Sequence, residues 1–162
     1  MSTNLRVFTC SPEAVFDVLA DGWLFPTWVV GASRMRDVDA HWPQVGTQLH
    51  HSFGVWPLLI NDATTSLEFE RPTRMVIQPK GWPLGEARVE VTVTPHRKGC
   101  KVRIREEAVA GPGSWIPTIL LEPALWLRNV ETLRRLAFIA QGMQDNRDTL
   151  HRDRTSNREH TA

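Results

Sequence analysis

The 162-residue chain has only two cysteines, no tyrosine and almost no net charge. Cys10 and Cys100 are too distant in sequence for a closely spaced metal-ligand pair and too few for a disulfide framework. Reduced thiols and no metal are expected. Lys and Arg together number 19 against 18 Asp and Glu, a formal charge of +1, so there is no broad positive field to hold a phosphate backbone. Nucleic acid is not an expected partner. No stretch approaches about 18 uncharged apolar residues, and Met1 to Ser11 carries no basic segment followed by an apolar run. These absences argue against an integral membrane segment and for a soluble, cytoplasmic protein. Gly111-Pro112-Gly113 lacks the spacing of a phosphate-binding loop, and no nucleophile-base-acid set is legible among the Ser, Cys and His residues. A nucleotide site, a hydrolase and a bound cofactor are therefore not expected.

In place of tyrosine the chain carries seven Trp and six Phe, the Trp at positions 23, 28, 42, 56, 82, 115 and 126. An indole buries a large apolar area but needs a partner for its N–H, so these side chains suit a core and equally suit the wall of a partly hydrated cavity. A chain of this length can bury one sizeable core without staples.

Period-two and period-3.6 patterns divide the chain cleanly. Leu5 to Cys10 alternates loosely as a strand, and Ser11-Pro12-Glu13 supplies an N-cap, a first-turn proline and an acidic first turn. Ala14, Val15, Val18 and Leu19 recur at helical spacing up to Asp21-Gly22, and Trp23 to Trp28 allows one more short helical piece. From Ser33 to Ala110 the period becomes two, with strands expected near 33–38, 46–54, 58–70, 73–79, 84–95 and 100–109. In the sixth strand Ala87, Val89, Val91 and Val93 share one face against Arg88, Glu90, Thr92 and Thr94. The seventh sets Val102 and Ile104 against Lys101, Arg103 and Arg105. Short connections make an antiparallel meander with one dry side. A C-terminal helix is expected from about Pro123 to Gln141, its apolar stripe formed by Trp126, Val130, Leu133 and Ala137, widened by Leu127 and Leu136, with Arg128, Glu131 and Arg135 opposite. Residues 143–162 are polar and mixed in charge. They are expected to form a disordered tail or a loose helical continuation outside a domain of residues 1–142.

The order of a strand, two short helices, a six-strand meander and a long helix resembles the helix-grip fold of the START-like superfamily, also called SRPBCC or polyketide cyclase-like proteins. SPEAVFDVLAD followed by WLFPTWVVG resembles the opening of these domains. DVDAHWPQVGTQLHHSFGVWPL and LWLRNVETLRRLAFIAQG resemble a bacterial subgroup, and RPTRMVI resembles the hinge between the fourth and fifth strands. The resemblance spans residues 3–142 through many weak words in order. It implies an α+β fold in which a curved seven-stranded antiparallel sheet grips the long helix, with a cavity between them for an apolar small molecule such as a lipid, sterol or polyketide-like ring system. It implies no common catalytic set, since fold alone does not decide chemistry. It also implies that strand one pairs antiparallel with strand seven, which would make Cys10 and Cys100 unbonded neighbours.

Candidate ligand-lining residues are Trp28, Phe53, Leu67, Ile77, Trp115 and Trp126, with His51 and Glu106 as polar contacts. If Leu49 and Phe53 face inward, alternation carries His51 inward and His50 to solvent, which argues against a paired His50-His51 metal site. His51 then either orients a ligand or exchanges protons with it, or is a structural histidine at the cavity rim. Val102 and Ile104 similarly carry Glu106 inward, where a carboxylate is costly unless paired or protonated. It either anchors a polar ligand group, acts as acid or base, or simply accepts hydrogen bonds. Both residues lie late in strands three and seven, which run in the same direction, and are expected near one end of the cavity. Asp62, Thr64 and Thr65 read as an outward stretch of strand four. The first functional expectation is a non-catalytic binder; the alternative is a cyclase or dehydratase using Glu106 and His51 as acid and base.

Overall fold

The computed structural model describes residues 2–80, 85–110 and 118–159. The elements are β1 (Ser2–Phe8), α1 (Pro12–Ala20), a 3-10 turn (Gly22–Leu24), α2 (Phe25–Trp28), β2 (Ala32–Val38), β3 (Gln48–Val55), β4 (Leu58–Glu70), β5 (Arg74–Pro79), β6 (Glu86–His96), β7 (Gly99–Ala110) and α3 (Thr118–Glu159). The strands form one sheet in the order β1-β7-β6-β5-β4-β3-β2, with every neighbouring pair antiparallel. This is the α+β helix-grip arrangement expected from the pattern of elements.

Local chemistry starts each piece. Ser11 caps α1, its Oγ accepting from the Ala14 N–H at 3.2 Å, and Pro12 fills the first turn, where its missing N–H is not needed. The helix then buries Ala14, Val15, Phe16, Val18 and Leu19. Asp21 caps the following turn by accepting from the Trp23 N–H at 3.0 Å.

β1 lies against β7 with Phe8 directly opposite Cys100 and Ser2 opposite Glu106. Gly99 opens β7 at φ +135°, and a Cβ there would meet the carbonyl oxygens of Phe8 and Cys10 at 2.6 and 2.7 Å. Only glycine fits so close an approach. The same junction brings Cys10 and Cys100 together as buried, unbonded neighbours. Cys100 donates to the Cys10 sulfur, which lowers the Cys10 pKa and, with burial, raises that of Cys100.

α3 packs into the sheet and onto α1 through Leu133, Leu136 and Ala140, which join Phe8, Phe16, Leu19, Leu49, Met75 and Ile104 in the core. Its buried line differs from the expected stripe. Trp126 and Leu127 are exposed at 54% and 64%, Val130 and Ala137 are half-buried, and the polar Asn129 and Thr132 are buried instead. Apolar residues surround this helix, so hydrophobicity alone does not fix its phase. Polar side chains with partners inside the protein do.

The helix also passes beyond Gln141: of the disordered tail and the helical continuation that composition allowed, the second is present, to Glu159. Its first turns dock on α1: Gln144 Oε1 accepts from the Ser11 N–H at 2.8 Å, and Arg147 and Arg71 both pair with Asp17. An established helix adds further turns at little cost, because each new hydrogen bond fixes one residue. No described helix is long and apolar enough to cross a membrane.

The phase of α3 is testable. Leu136→Ala should lower unfolding free energy by about 2–5 kcal/mol through lost burial and the cavity left behind, whereas Val130→Ala should cost clearly less. Equal shifts in denaturant midpoint for the two variants would contradict the observed packing.

Candidate functional site

The interior face of β3 and β4 is unexpectedly polar. Asp62, Thr64 and Ser66 are all buried, correcting the outward placement of Asp62 and Thr64. The cause is a bulge. Ser66 pairs with Ile77 and Glu68 with Val76, leaving Leu67 as the extra residue. One inserted residue reverses the faces of everything before it. Phe69, beyond the bulge, packs on the core with its ring 5.5 Å from that of Phe16.

His51 sits on this face at 2% exposure. Its cross-strand partner is Asp62, and its Nε2 lies 2.9 Å from Thr64 Oγ1. Phe25 of α2 covers the imidazole at a ring separation of 5.0 Å and meets Trp28 edge-on at 5.5 Å. The three rings thus form a chain from the sheet to α2. Burial lowers the His51 pKa, with the Asp62 carboxylate opposing in part, so the imidazole is neutral at pH 7. Two polar atoms in this chain, Trp28 Nε1 and His51 Nδ1, are buried without a well-formed hydrogen bond among the described residues, a weak backbone contact of the imidazole at Ser52 aside.

Glu106 is buried at 6% exposure and belongs to a second polar group. Arg128 and Asn129 of α3 both donate to its Oε2, Asn129 from 3.1 Å. Arg128, expected on the outer side of the helix, reaches inward to pair with it. Asn4 of β1 donates to the Trp126 carbonyl at 3.2 Å, and Thr132 accepts from the Val30 N–H at 3.3 Å. These contacts tie α3 to β1 and to the segment after α2. Among the described residues no hydrogen bond joins Glu106 to His51, and three strands lie between theirs in the sheet.

The remaining candidates are dispersed. Ile77 is buried in the core. Leu67 occupies the bulge and is half-buried. Phe53 is 37% exposed and folds over Gly31, where a Cβ would stand 2.3 Å from its ring. Trp126 projects outward, and Trp115 lies outside the described residues. Phe25 and Asn129 were not singled out by sequence, and Thr64 and Arg128 were placed on outward faces. Period alone could have marked Asn129, two turns before Leu136 on one face.

A pocket of about 440 Å³ opens elsewhere, between the end of α1 and the β2–β3 connection, lined in part by Asp21, Trp23, Asp39 and Trp42. Two of its polar groups already have partners: Trp42 Nε1 donates to the Leu19 carbonyl at 3.3 Å, and Asp39 accepts from the Gln48 N–H at 2.8 Å. The cavity expected between sheet and helix is not this one.

No protein-family model matches the chain, and no curated protein matches it by sequence. Solved structures do. The di-domain ARO/CYC StfQ from the steffimycin biosynthetic pathway superposes with a TM-score of 0.69 at 13% identity, over 88% of this chain and 51% of that one. The likeness is one of fold. Protein CV1439 from Chromobacterium violaceum gives a TM-score of 0.62 at 20% identity, covering 85% of this chain and 94% of its own. SA2116 from Staphylococcus aureus, a protein of unknown function, gives 0.68 at 10%, covering 88% and 94%. The strand and helix arrangement is thus shared with these solved structures.

Two measurements test these clusters. Since the folded pKa of His51 lies below its ordinary value of 6.5, the unfolded chain binds a proton first as pH falls. Stability attributable to His51 is therefore constant above that value and declines below it. Urea midpoints of the wild type should fall more steeply between about pH 7 and pH 5 than those of His51→Gln; parallel curves would assign the slope to other groups. Glu106→Ala should destabilise by about 1–3 kcal/mol by stripping Asn129 of its buried acceptor, and an unchanged melting temperature would contradict that role.

Proposed function

We propose that this protein binds a small, largely apolar molecule between the sheet and α3, with a neutral hydroxyl or carbonyl seated against His51 and Trp28. The observation that carries this reading is the pair of buried polar atoms without a well-formed hydrogen bond, His51 Nδ1 and Trp28 Nε1, on the two rings that contact Phe25. Leaving such groups dry costs about 1–3 kcal/mol each, which a ligand hydrogen bond offsets. The indole can only donate, and a neutral imidazole can donate or accept at Nδ1 depending on its tautomer. A hydroxyl or carbonyl meets these demands, whereas a carboxylate or ammonium would bring an unpaired charge into the interior. Apolar surroundings supply affinity and the few polar atoms orient the ligand.

The fold likeness to an ARO/CYC protein supports a ligand of ring-system type and keeps a cyclase reading as the second one. In that reading His51 is the side chain available for proton transfer, because the Glu106 carboxylate is engaged by Arg128 and Asn129.

Mass spectrometry of compounds that co-purify with the native chain identifies the ligand class. Trp28→Phe keeps an aromatic ring, though a smaller one, and removes the N–H, so affinity for a neutral polycyclic phenol or ketone should fall about 3- to 10-fold, the effect of one hydrogen bond. A Kd unchanged in both Trp28→Phe and His51→Ala would overturn the placement. Chemical conversion of a bound compound, lost in His51→Ala, would favour the cyclase reading.

A further inference from the structure

The outer face of α3 carries two large apolar side chains in open view. Leu127 is 64% exposed and Phe138 82%. They are eleven residues apart, which at about 100° per residue returns to within about 20° of the same direction and separates them by about 16 Å along the axis. Between them on that face stand Glu131 and Arg134, which pair with each other at 3.5 Å, Glu131 also accepting from Arg135 at 2.9 Å. The core line of Leu133, Leu136 and Ala140 occupies the opposite side of the helix.

This face is its own complement. A two-fold axis crossing α3 midway between the levels of Thr132 and Leu133 sets Leu127 opposite Phe138 of a second copy, and Phe138 opposite Leu127. The same axis sets Glu131 opposite Arg134 and Arg134 opposite Glu131. One axis therefore satisfies both the apolar and the charged pairs, and an isologous contact requires this of a surface. The spacing from Leu127 to Glu131, Arg134 and Phe138 runs four, three, four, the seam of an antiparallel helix pair, with polar residues at its centre fixing register. Beyond Phe138, Gly142 leaves its surroundings open, with nothing within 4 Å of a Cβ, so the helices can approach closely there. Other partners would need only the apolar pair. A second copy also uses the charges in their observed order.

We infer that two copies of this chain associate through antiparallel α3 helices, with the Leu127–Phe138 and Glu131–Arg134 pairs formed across the dyad. Sedimentation of the full-length protein should show a dimer. Phe138→Glu should raise its dissociation constant by about 10-fold or more, as expected for an exposed apolar anchor, while leaving thermal unfolding of the monomer unchanged because the side chain is outside the core. E131R should weaken the dimer by setting like charges together, and E131R/R134E should restore it. Oxidation of L127C/F138C should give a covalent dimer, since the two positions are too far apart to bond within one helix, whereas L127C alone should not. A wild-type chain that sediments as a monomer at every concentration, a dimer indifferent to Phe138→Glu, or ready cross-linking through L127C alone would each overturn the inference.

Discussion

The pairing of β1 with β7 joins the first strand of the chain to the last, and the rest of the structure hangs on it. Closing so long a loop is entropically unfavourable, and the strand that achieves it is short and half-exposed. The closure is supported at both ends. At one end Gly99 allows the backbone of Phe8 and Cys10 to lie against the β6–β7 turn. At the other, Ser2 faces Glu106, and Asn4 reaches the α3 backbone. Because α1 follows β1 directly, fixing β1 also fixes the surface on which the later half of α3 rests.

This arrangement explains why so many polar side chains occupy the interior. Glu106 and Asn129 link β7 to α3, Thr132 links α3 to the segment after α2, and His51 with Thr64 links β3 to β4. A purely apolar interface would tolerate sliding of the helix along the sheet. Directional bonds at these points select one position. Their energetic value is modest when complete and large when broken, so they specify the fold more than they stabilise it.

Most of the fold was legible in the sequence because alternation and caps are local signals. Ser11-Pro12, the Val89–Val93 alternation and the turn at Gly99 each announce their element without reference to anything distant. The proximity of the cysteines followed from the β1–β7 pairing that the family resemblance implied. What was not legible depended on partners remote in sequence. The bulge at Leu67 inverts the faces of Asp62 and Thr64, and nothing local distinguishes that residue from an ordinary strand position. The phase of α3 misled for a related reason: Trp126, Leu127 and Phe138 are as apolar as Leu133 and Leu136 yet face outward, while Asn129 is buried because Glu106 waits for it. At the candidate site, alternation brought His51 and Glu106 inward, but only coordinates separate them into two hydrogen-bonded groups. Composition allowed both a disordered tail and a helical continuation past Gln141, and the choice between them depended on remote partners, since the polar residues dock near α1 through Gln144 and Arg147.

The two thiols at the β1–β7 junction give the molecule a chemical clock. Both are wholly buried, so a soluble alkylating reagent reaches them only when the junction opens. When reclosing is fast, their modification rate reports the equilibrium population of the opened form; at saturating reagent it reports the opening rate itself. The native chain thus carries, without any engineered label, a probe of how often its first strand lets go of its last.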